Sequence, residues 1–272
     1  MNPIVIENNH SLKGVMSDLW DYRELFLFLA WRDLLVRYKQ TAIGLAWSVI
    51  TPLLTMVVLT LVFGRIAKLP SAGVPYPILV FAALLPWQFF SSVLSQSSAS
   101  LVNNRNMVSK VYFPRIIIPS TQVVVSLTDF VISLGILAGL MAWYGVAPSL
   151  RLLVLPPLIL LAIFTSLGAG YWISALNVKY RDFRYIVPFM VQFGLYASPV
   201  GFSSDVVPEQ WRLLYSLNPM VGVIDGFRWA IVGGSAPIYV EGLVFSVVLA
   251  ITLFVSGVVF FLKTERKFAD VI

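Results

Sequence analysis

Long apolar runs without a charged side chain dominate this sequence. A helix needs about 20 apolar residues to cross roughly 30 Å of hydrocarbon. The pattern predicts an all-α membrane protein. Its six transmembrane helices are expected near 44–64, 77–100, 116–143, 153–176, 185–201 and 241–262. The fifth run is short and contains Pro188 and Pro199, residues that interrupt helices.

The composition supports the membrane class. Hydrophobic residues make up 58% of the chain and charged residues 12%, whereas soluble domains carry about 25% charged residues. A water-soluble fold of this size could not cover so much apolar surface. The chain has no cysteine, which excludes disulfides, thiolate chemistry and cysteine-based metal sites.

Basic residues are distributed unevenly between the predicted connections. The first residues contain no apolar core of a signal peptide, so the N-terminus is expected to stay on the cytoplasmic side. In that orientation, 14 of the 19 Lys and Arg residues fall in cytoplasmic pieces. This positive-inside bias predicts a multi-pass inner-membrane protein with both termini in the cytoplasm.

Residues 1–40 are predicted to form a cytoplasmic region that ends in an interfacial helix, ahead of a transmembrane region over 41–272. Apolar side chains recur there at helical spacing, at Trp31, Leu34, Leu35 and Tyr38. Asp33 and Arg37 fall on the opposite side. This pattern is typical of an amphipathic helix in the headgroup plane. A soluble cap helix is the alternative.

The cytoplasmic connection 101–115 mixes basic, amide and apolar side chains. A short helix ending before Pro114 fits the pattern. Apolar residues beside basic ones indicate a docking element for a protein partner, with a simple solvated loop as the alternative. The candidate contact residues are Asn103, Asn104, Arg105, Met107, Lys110 and Tyr112.

The external segment 202–239 is predicted to hold two short helices, Pro208–Leu217 and Met220–Val232. The second is too short to span, since 13 residues cover only about 20 Å. Two re-entrant helices that dip into the outer leaflet would place aromatic side chains at a pore mouth and act as a gate. The candidate gate residues are Trp211, Tyr215, Phe227 and Trp229.

The sequence carries no recognisable catalytic apparatus. No phosphate-binding G-x-x-x-x-G-K-[ST] motif occurs, because no glycine precedes a lysine. The only histidine is His10, which excludes a histidine-based metal site or catalytic triad. No D-x-D pair is present for a metal-bound sugar nucleotide. We therefore predict neither catalytic residues nor a metal site.

Two features inside the spans suggest a polar interior. Asp129 lies near the middle of the third span. An ionisable residue inside a span is costly, so its presence there suggests a functional role. A hydrogen-bonded carboxyl between helices is the structural alternative, and a lone Asp favours it over a proton relay. The second span is rich in polar residues, which favours a wet pathway along part of that face: Ser91, Ser92, Ser95, Gln96, Ser97, Ser98 and Ser100.

Aromatic residues make up 14% of the chain. Most are expected to lie in the aromatic belts at the membrane–water interfaces or in the packed core. Sugar rings stack their C–H faces on aromatic side chains, so a sugar channel would need some of them in its lining. The candidates inside spans are Trp47, Trp87, Phe89, Phe90, Tyr171, Trp172, Phe193 and Tyr196.

A block that begins at Arg32 reads RDLLVRYKQT and is followed by Gly44, Trp47 and Pro52. This block resembles the signature of ABC-2-type permeases that export polysaccharides, namely O-antigen, capsule and teichoic acid. Weaker matches follow in the same order over nearly the whole chain. They are Tyr112-Phe113-Pro114-Arg115 with Pro119, Asn177 with Tyr180-Arg181-Asp182, and Asn218-Pro219-Met220 with Arg228 and Gly233.

The resemblance implies a homodimeric permease in a bacterial inner membrane that binds two copies of a separate ATPase subunit. ATP and Mg would sit on that partner, and no cofactor on this chain. The coupling helix would be residues 103–112, and the interfacial helix would also contact the ATPase. The substrate would be a polysaccharide on a polyprenyl-pyrophosphate carrier, with membrane lipids and no nucleic acid as the other partners.

The basic pair Arg37 and Lys39 stands at the cytoplasmic mouth of the first span, where we expect it to attract the pyrophosphate. Two other classes remain open at this point. One is a membrane-embedded transferase for lipid-linked sugars, which would need paired carboxylates or a metal motif. The other is a proton-coupled carrier that uses Asp129. The identity of the polymer also remains open.

Overall fold

The computed structural model describes residues 20–39, 44–71, 73–233, 238–265 and 268, and within these ranges all regular structure is helical. The α-helices are α1 Arg23–Lys39, α2 Gly44–Leu59, α3 Tyr76–Asn103, α4 Arg105–Lys110, α5 Ile117–Trp143, α6 Leu155–Lys179, α7 Phe183–Ala197, α8 Glu209–Tyr215, α9 Pro219–Val232 and α10 Val240–Glu265. A π-helical segment, Thr60–Ile66, extends α2, and 3-10 turns at Leu150–Val154 and Ser204–Val206 precede α6 and α8.

Five helical segments of the described chain are long and apolar enough to cross a membrane. They are Leu45–Ile66, Tyr76–Asn103, Ile117–Trp143, Leu150–Lys179 and Val240–Glu265. These five coincide with the first, second, third, fourth and sixth predicted spans. The all-helical membrane class is therefore confirmed.

The fifth predicted span, 185–201, corresponds to α7, which has only 15 residues. At 1.5 Å per residue it extends about 22 Å, less than the hydrocarbon thickness. The helix stops where Ser198 adopts an extended backbone, because a residue that precedes proline is disfavoured in the helical region. Pro199 thus shortens the predicted span from its C-terminal end.

Helix α3 lies at the centre of the bundle. It contacts α5, α6, α7 and α9, and its buried side chains occur along its whole length. Helices α6 and α10 come into backbone contact at two glycines. A Cβ on Gly168 would stand 2.6 Å from the Phe254 backbone nitrogen, and one on Gly257 would stand 2.4 Å from the Gly168 carbonyl oxygen. Small residues allow this backbone contact.

The two short helices predicted within 202–239 form close to where the sequence predicts them. Helix α9 begins at Pro219 and is capped by Asn218, whose side chain accepts a hydrogen bond from the Met220 N–H at 3.0 Å. It ends at Val232 and is followed by the capping residue Gly233, whose φ of 86° suits glycine. Helix α9 contacts α3, α6 and α10 and is largely buried.

Candidate functional site

A polar groove runs beside α3, between that helix, α1, α2 and α5. It consists of two cavities. The inner cavity, beside Leu85 of α3, has a volume of about 350 Å³, and the outer cavity, beside Asn103 at the end of α3, has a volume of about 690 Å³. Arg37 and Ser92 line both cavities. Along α3 the groove extends from Asn103 to Leu85. Those 18 residues correspond to roughly 27 Å, most of the thickness of the hydrocarbon layer.

The polar face predicted on the second span is divided between this groove and the helix packing. The groove side carries Ser91, Ser92, Ser95, Gln96 and Ser100. Two of the predicted residues point elsewhere. Ser97 is buried and donates to the Pro119 carbonyl of α5 at 2.9 Å, and the Ser98 hydroxyl bonds to its own helix, at the Ser95 carbonyl. The polar residues of α3 therefore line the groove on one face of the helix, and a wet pathway along that face remains a prediction.

Asp129 is surrounded by donors where the inner cavity meets α1 and α2. Its carboxylate forms an ion pair with Arg37 at 2.5 Å. The same carboxylate accepts hydrogen bonds from the Tyr38 hydroxyl at 2.6 Å and from the Ser48 hydroxyl at 2.7 Å. Desolvation, followed by the hydrogen bond to Asp129, raises the pKa of Tyr38 on α1 to about 12. The phenol thus remains a donor at neutral pH.

A second polar cluster lies at the outer end of the groove. Arg32 pairs with Asp33 at 2.7 Å and donates to the Asn104 side-chain oxygen at 2.9 Å. Gln122 of α5 donates to the other Asp33 oxygen at 2.8 Å. Helix α1 is therefore tied both to α5 and to the residue that precedes α4.

In the second half of α1, charged side chains face the protein, whereas part of the predicted apolar stripe faces outward. Asp33 and Arg37 contact α5, whereas Trp31 and Leu35 are exposed. Tyr38, which the periodicity places on the apolar face, instead reaches Asp129. Of the predicted basic pair, Arg37 is bound to Asp129 and Lys39 is exposed.

The predicted docking element 101–115 contains the short helix α4. The element is anchored at Val108 within α4 and at Phe113 after it, both of which are buried in a core cluster with residues of α3, α5 and α6. Most of its candidate contact residues are accessible. Asn103, Arg105, Lys110 and Tyr112 are exposed, Met107 is partly exposed, and Asn104 holds the bond from Arg32.

The eight aromatic candidates occupy several different environments. Trp47 and Phe89 line the inner cavity. Trp87 and Phe90 contact each other, and the Trp87 ring leaves no room for a Cβ on Gly194 of α7. The remaining four lie away from the groove.

Two of those four are held between helices. Tyr171 is buried and its hydroxyl shares a 2.7 Å hydrogen bond with Ser120. Trp172 stacks on Phe260 with ring centroids 3.9 Å apart. The other two, Phe193 and Tyr196, lie on an exposed face of α7.

The four gate candidates are also separated. Trp211 is exposed, whereas Phe227 is fully buried in the main core. Tyr215 has a buried hydroxyl without a hydrogen-bond partner among the described residues. Trp229 is partly buried beneath the Arg151 guanidinium, which stands 5.3 Å from its ring centroid.

Arg228 is a buried residue whose role the sequence does not reveal. Its guanidinium donates to the carbonyls of Val200 at 2.8 Å, Phe202 at 2.5 Å and Leu79 at 3.2 Å. These bonds tie α9 to α3 and to the loop that follows α7. By sequence Arg228 is one of the external cations and one of the residues that carry the family resemblance, but neither feature indicates that it is buried.

Within the described residues, no three His, Cys, Asp or Glu side chains cluster closely enough to hold a metal ion. The carboxylate of Asp129 is engaged by Arg37 and two hydroxyls rather than by a second acid. This arrangement fits the structural alternative for Asp129, a hydrogen-bonded carboxyl between helices.

Comparison with known proteins identifies the family of this chain. Residues 24–232 match the ABC-2 type transporter family. The chain is 29% identical over 252 residues to the O-antigen export system permease protein RfbA of Klebsiella pneumoniae, covering 92% of this chain and 95% of the relative.

Two further relatives extend the comparison. The RfbA protein of Myxococcus xanthus is 29% identical over 217 residues, which cover 79% of this chain and 82% of the relative. The polysialic acid transport protein KpsM of Escherichia coli is 22% identical over 216 residues, which cover 76% and 80%. Since the family match extends over most of the sequence, the chain belongs to the ABC-2 type transporter family.

Proposed function

We propose that this chain is the permease subunit of an ATP-driven exporter that moves a lipid-linked polysaccharide, similar to O-antigen, across the bacterial inner membrane. The observation that carries this proposal is the similarity to RfbA, an O-antigen export permease, over 92% of the chain. The similarity to KpsM, which transports polysialic acid, supports a polysaccharide as the substrate class.

Energy enters from a separate ATPase subunit, which carries ATP and Mg. The absence of a phosphate-binding loop from the sequence is consistent with that division. Helix α4 and the residues that follow it form the contact element: Val108 and Phe113 are buried in a core cluster, while Arg105, Lys110 and Tyr112 are exposed. The hydrogen bond from Arg32 to Asn104 joins α1 to the start of α4. A displacement of α4 by the ATPase subunit is therefore transmitted to α1.

The transmembrane topology has six crossings, and α1 lies at the cytoplasmic interface. Helix α7 makes the fifth crossing together with the loop that follows it. Arg228 holds this loop within the membrane by donating hydrogen bonds to the carbonyls of Val200 and Phe202. Helices α8 and α9 return to the outer surface as the re-entrant gate. Both termini remain in the cytoplasm, as the basic residues indicate.

A second copy of this chain completes the exporter as a homodimer. Helix α7 is too short to face lipid along a full crossing, and one side of it exposes Tyr185, Phe189, Phe193 and Tyr196. In a dimer these aromatic side chains line a channel between the two copies. Native mass spectrometry of the purified complex should find two permease and two ATPase subunits, and a single permease copy would contradict the dimer.

The pyrophosphate of the carrier first contacts Lys39, which is exposed at the end of α1. Arg37 is less available, because Asp129 neutralises its charge at 2.5 Å. Of the two basic residues, Lys39 therefore provides the cleaner test. Lys39→Glu should lower export without altering binding of the ATPase subunit.

Genetic complementation tests the proposed function. Cells that lack this chain should lose the surface polysaccharide and accumulate its lipid-linked precursor inside, because synthesis continues without export. The intact gene should restore the surface polymer only when the ATPase subunit is expressed as well. Normal surface polymer in the deletion strain would contradict the proposal.

The same assay separates this proposal from a proton-coupled carrier. Asp129→Asn keeps an acceptor for Tyr38 and Ser48 but removes a proton-binding group. We expect export to continue with its dependence on ATP. Complete loss of export by a variant that folds and assembles normally would favour proton coupling.

A further inference from the structure

The polar groove lies within one protomer and is separate from the aromatic face of α7, where the proposed dimer channel forms. Its cavities of about 350 and 690 Å³ match the range of roughly 300–1,000 Å³ that is typical of ligand sites. Export by itself does not require a second polar path inside each copy. The groove therefore needs an explanation of its own.

The lining of the groove is polar but carries no surplus charge. Each cation stands beside an acid: Arg32 pairs with Asp33 at 2.7 Å, and Arg37 pairs with Asp129 at 2.5 Å. Phosphate sites rely on unpaired cations or arginine forks that are free to bind. The balanced charges thus favour a neutral ligand over a phosphate.

The remaining polar groups suit a polyol. Helix α3 supplies hydroxyl and amide side chains to the groove, including Ser91, Ser95 and Gln96. Such groups both donate and accept hydrogen bonds, as sugar hydroxyls do. The inner cavity adds the rings of Trp47 and Phe89. Aromatic walls beside hydroxyls match the two faces of a sugar ring, one apolar and one polar.

We propose that the polar groove binds uncharged sugar units of the exported polymer within each protomer. The outer cavity, near Asn104 and α4, receives the sugars from the cytoplasmic side, and the inner cavity holds them against Trp47 and Phe89. This inference rests on the proposed function. A zwitterionic lipid headgroup is the competing occupant, and the experiment below distinguishes it.

Cysteine labelling tests this proposal directly, since the native chain contains no cysteine. Ser95→Cys places a thiol on the groove, and Ser91→Cys places a second one in the inner cavity. Ser97→Cys is the matched control, because Ser97 lies on the same helix but is fully buried against α5. Each variant is expressed with the ATPase subunit and prepared as inside-out membrane vesicles.

The probe is 2-sulfonatoethyl methanethiosulfonate, a charged thiol reagent that stays in water. Vesicles come from cells that make the polymer and from cells that lack its first glycosyltransferase. We expect both groove thiols to react in the polymer-free vesicles. Where polymer occupies most grooves, labelling should slow by about fivefold or more, as mass action requires. The Ser97→Cys control should stay unreactive in both preparations until it is denatured.

Three outcomes would overturn the proposal. Equal labelling with and without polymer would mean that no sugar occupies the groove. Protection in both preparations that disappears after lipid removal would identify a lipid headgroup as the occupant. Groove thiols that remain unreactive even in detergent would show that the groove does not admit water.

Surface polymer is measured in the same strains, so that failure of the groove assignment and failure of the proposed function can be distinguished. Normal export with unprotected groove thiols would reject the groove as a sugar site and leave the exporter intact. Surface polymer that does not depend on this chain would reject the exporter itself.

Discussion

At the scale of single residues, the main feature is the ion pair between Arg37 and Asp129. A charged group inside a span is costly unless it has a partner. Arg37 reaches Asp129 from a different helix, and Tyr38 and Ser48 complete the set of donors. The sequence reveals that Asp129 lies within a span, but it gives no sign of a partner 92 positions earlier. The pair therefore fixes the end of α1 against α5.

Exchanging the two charges tests this role of the pair. Arg37→Ala and Asp129→Ala each leave one charge unpaired, and we expect each to destabilise the protein by roughly 1–3 kcal/mol. This is less than the ~3–5 kcal/mol of a fully buried pair, because the Arg37 side chain is 35% exposed. Arg37→Asp combined with Asp129→Arg should recover part of the loss. Thermal unfolding of the purified complex provides the measurement, and a double variant less stable than either single variant would contradict the pairing.

At the scale of helices, the contact between α6 and α10 depends on glycine. Gly168→Ala would place a Cβ 2.6 Å from the Phe254 backbone nitrogen, and a backbone atom cannot move aside as a side chain can. Overpacking of this kind costs about 1–3 kcal/mol. Gly139→Ala on α5 is the control, since nothing lies within 4 Å of its added methyl. Gly168→Ala should lower the unfolding temperature and Gly139→Ala should not; equal effects would contradict the close contact.

The proposed docking role of the 101–115 element can be tested at Tyr112, which lies two residues after α4. Tyr112 is 72% exposed, so Tyr112→Ala should leave the fold intact and weaken binding of the ATPase subunit, by about tenfold or more if it is an interface hot spot. Tyr185→Ala, which removes a similarly exposed tyrosine on α7, should leave that binding unchanged. Co-purification at limiting ATPase concentration measures the difference. Unchanged ATPase binding by the Tyr112 variant would rule out its part in coupling.

The helices themselves were largely predictable, because hydrophobic runs and proline positions are local properties. Five predicted spans coincide with helices that are long and apolar enough to cross a membrane, and Asn218 and Gly233 delimit α9 as expected. The site was predictable only in part. The face of α3 with Ser92 and Ser95 was visible in the sequence, whereas the burial of Phe227 and Arg228 depends on helices distant along the chain.

At the scale of the whole molecule, this chain combines three parts at different positions along α3. Helix α4 follows the C-terminal end of α3, the polar groove runs along α3, and α9 bonds to the Leu79 carbonyl near the N-terminal end of α3. Helix α1 connects the first two through Arg32 and Arg37. Movement of α4 by an ATPase would therefore reach the groove through α1, without passing through the aromatic face of α7.

Reconstitution tests the central claim most directly. The purified permease and its ATPase subunit are placed in liposomes with the lipid-linked polysaccharide, and the appearance of polymer on the far side of the membrane is followed. We predict transfer that requires ATP, both subunits and an intact α4. Transfer that occurs without ATP, or without this chain, would contradict the account.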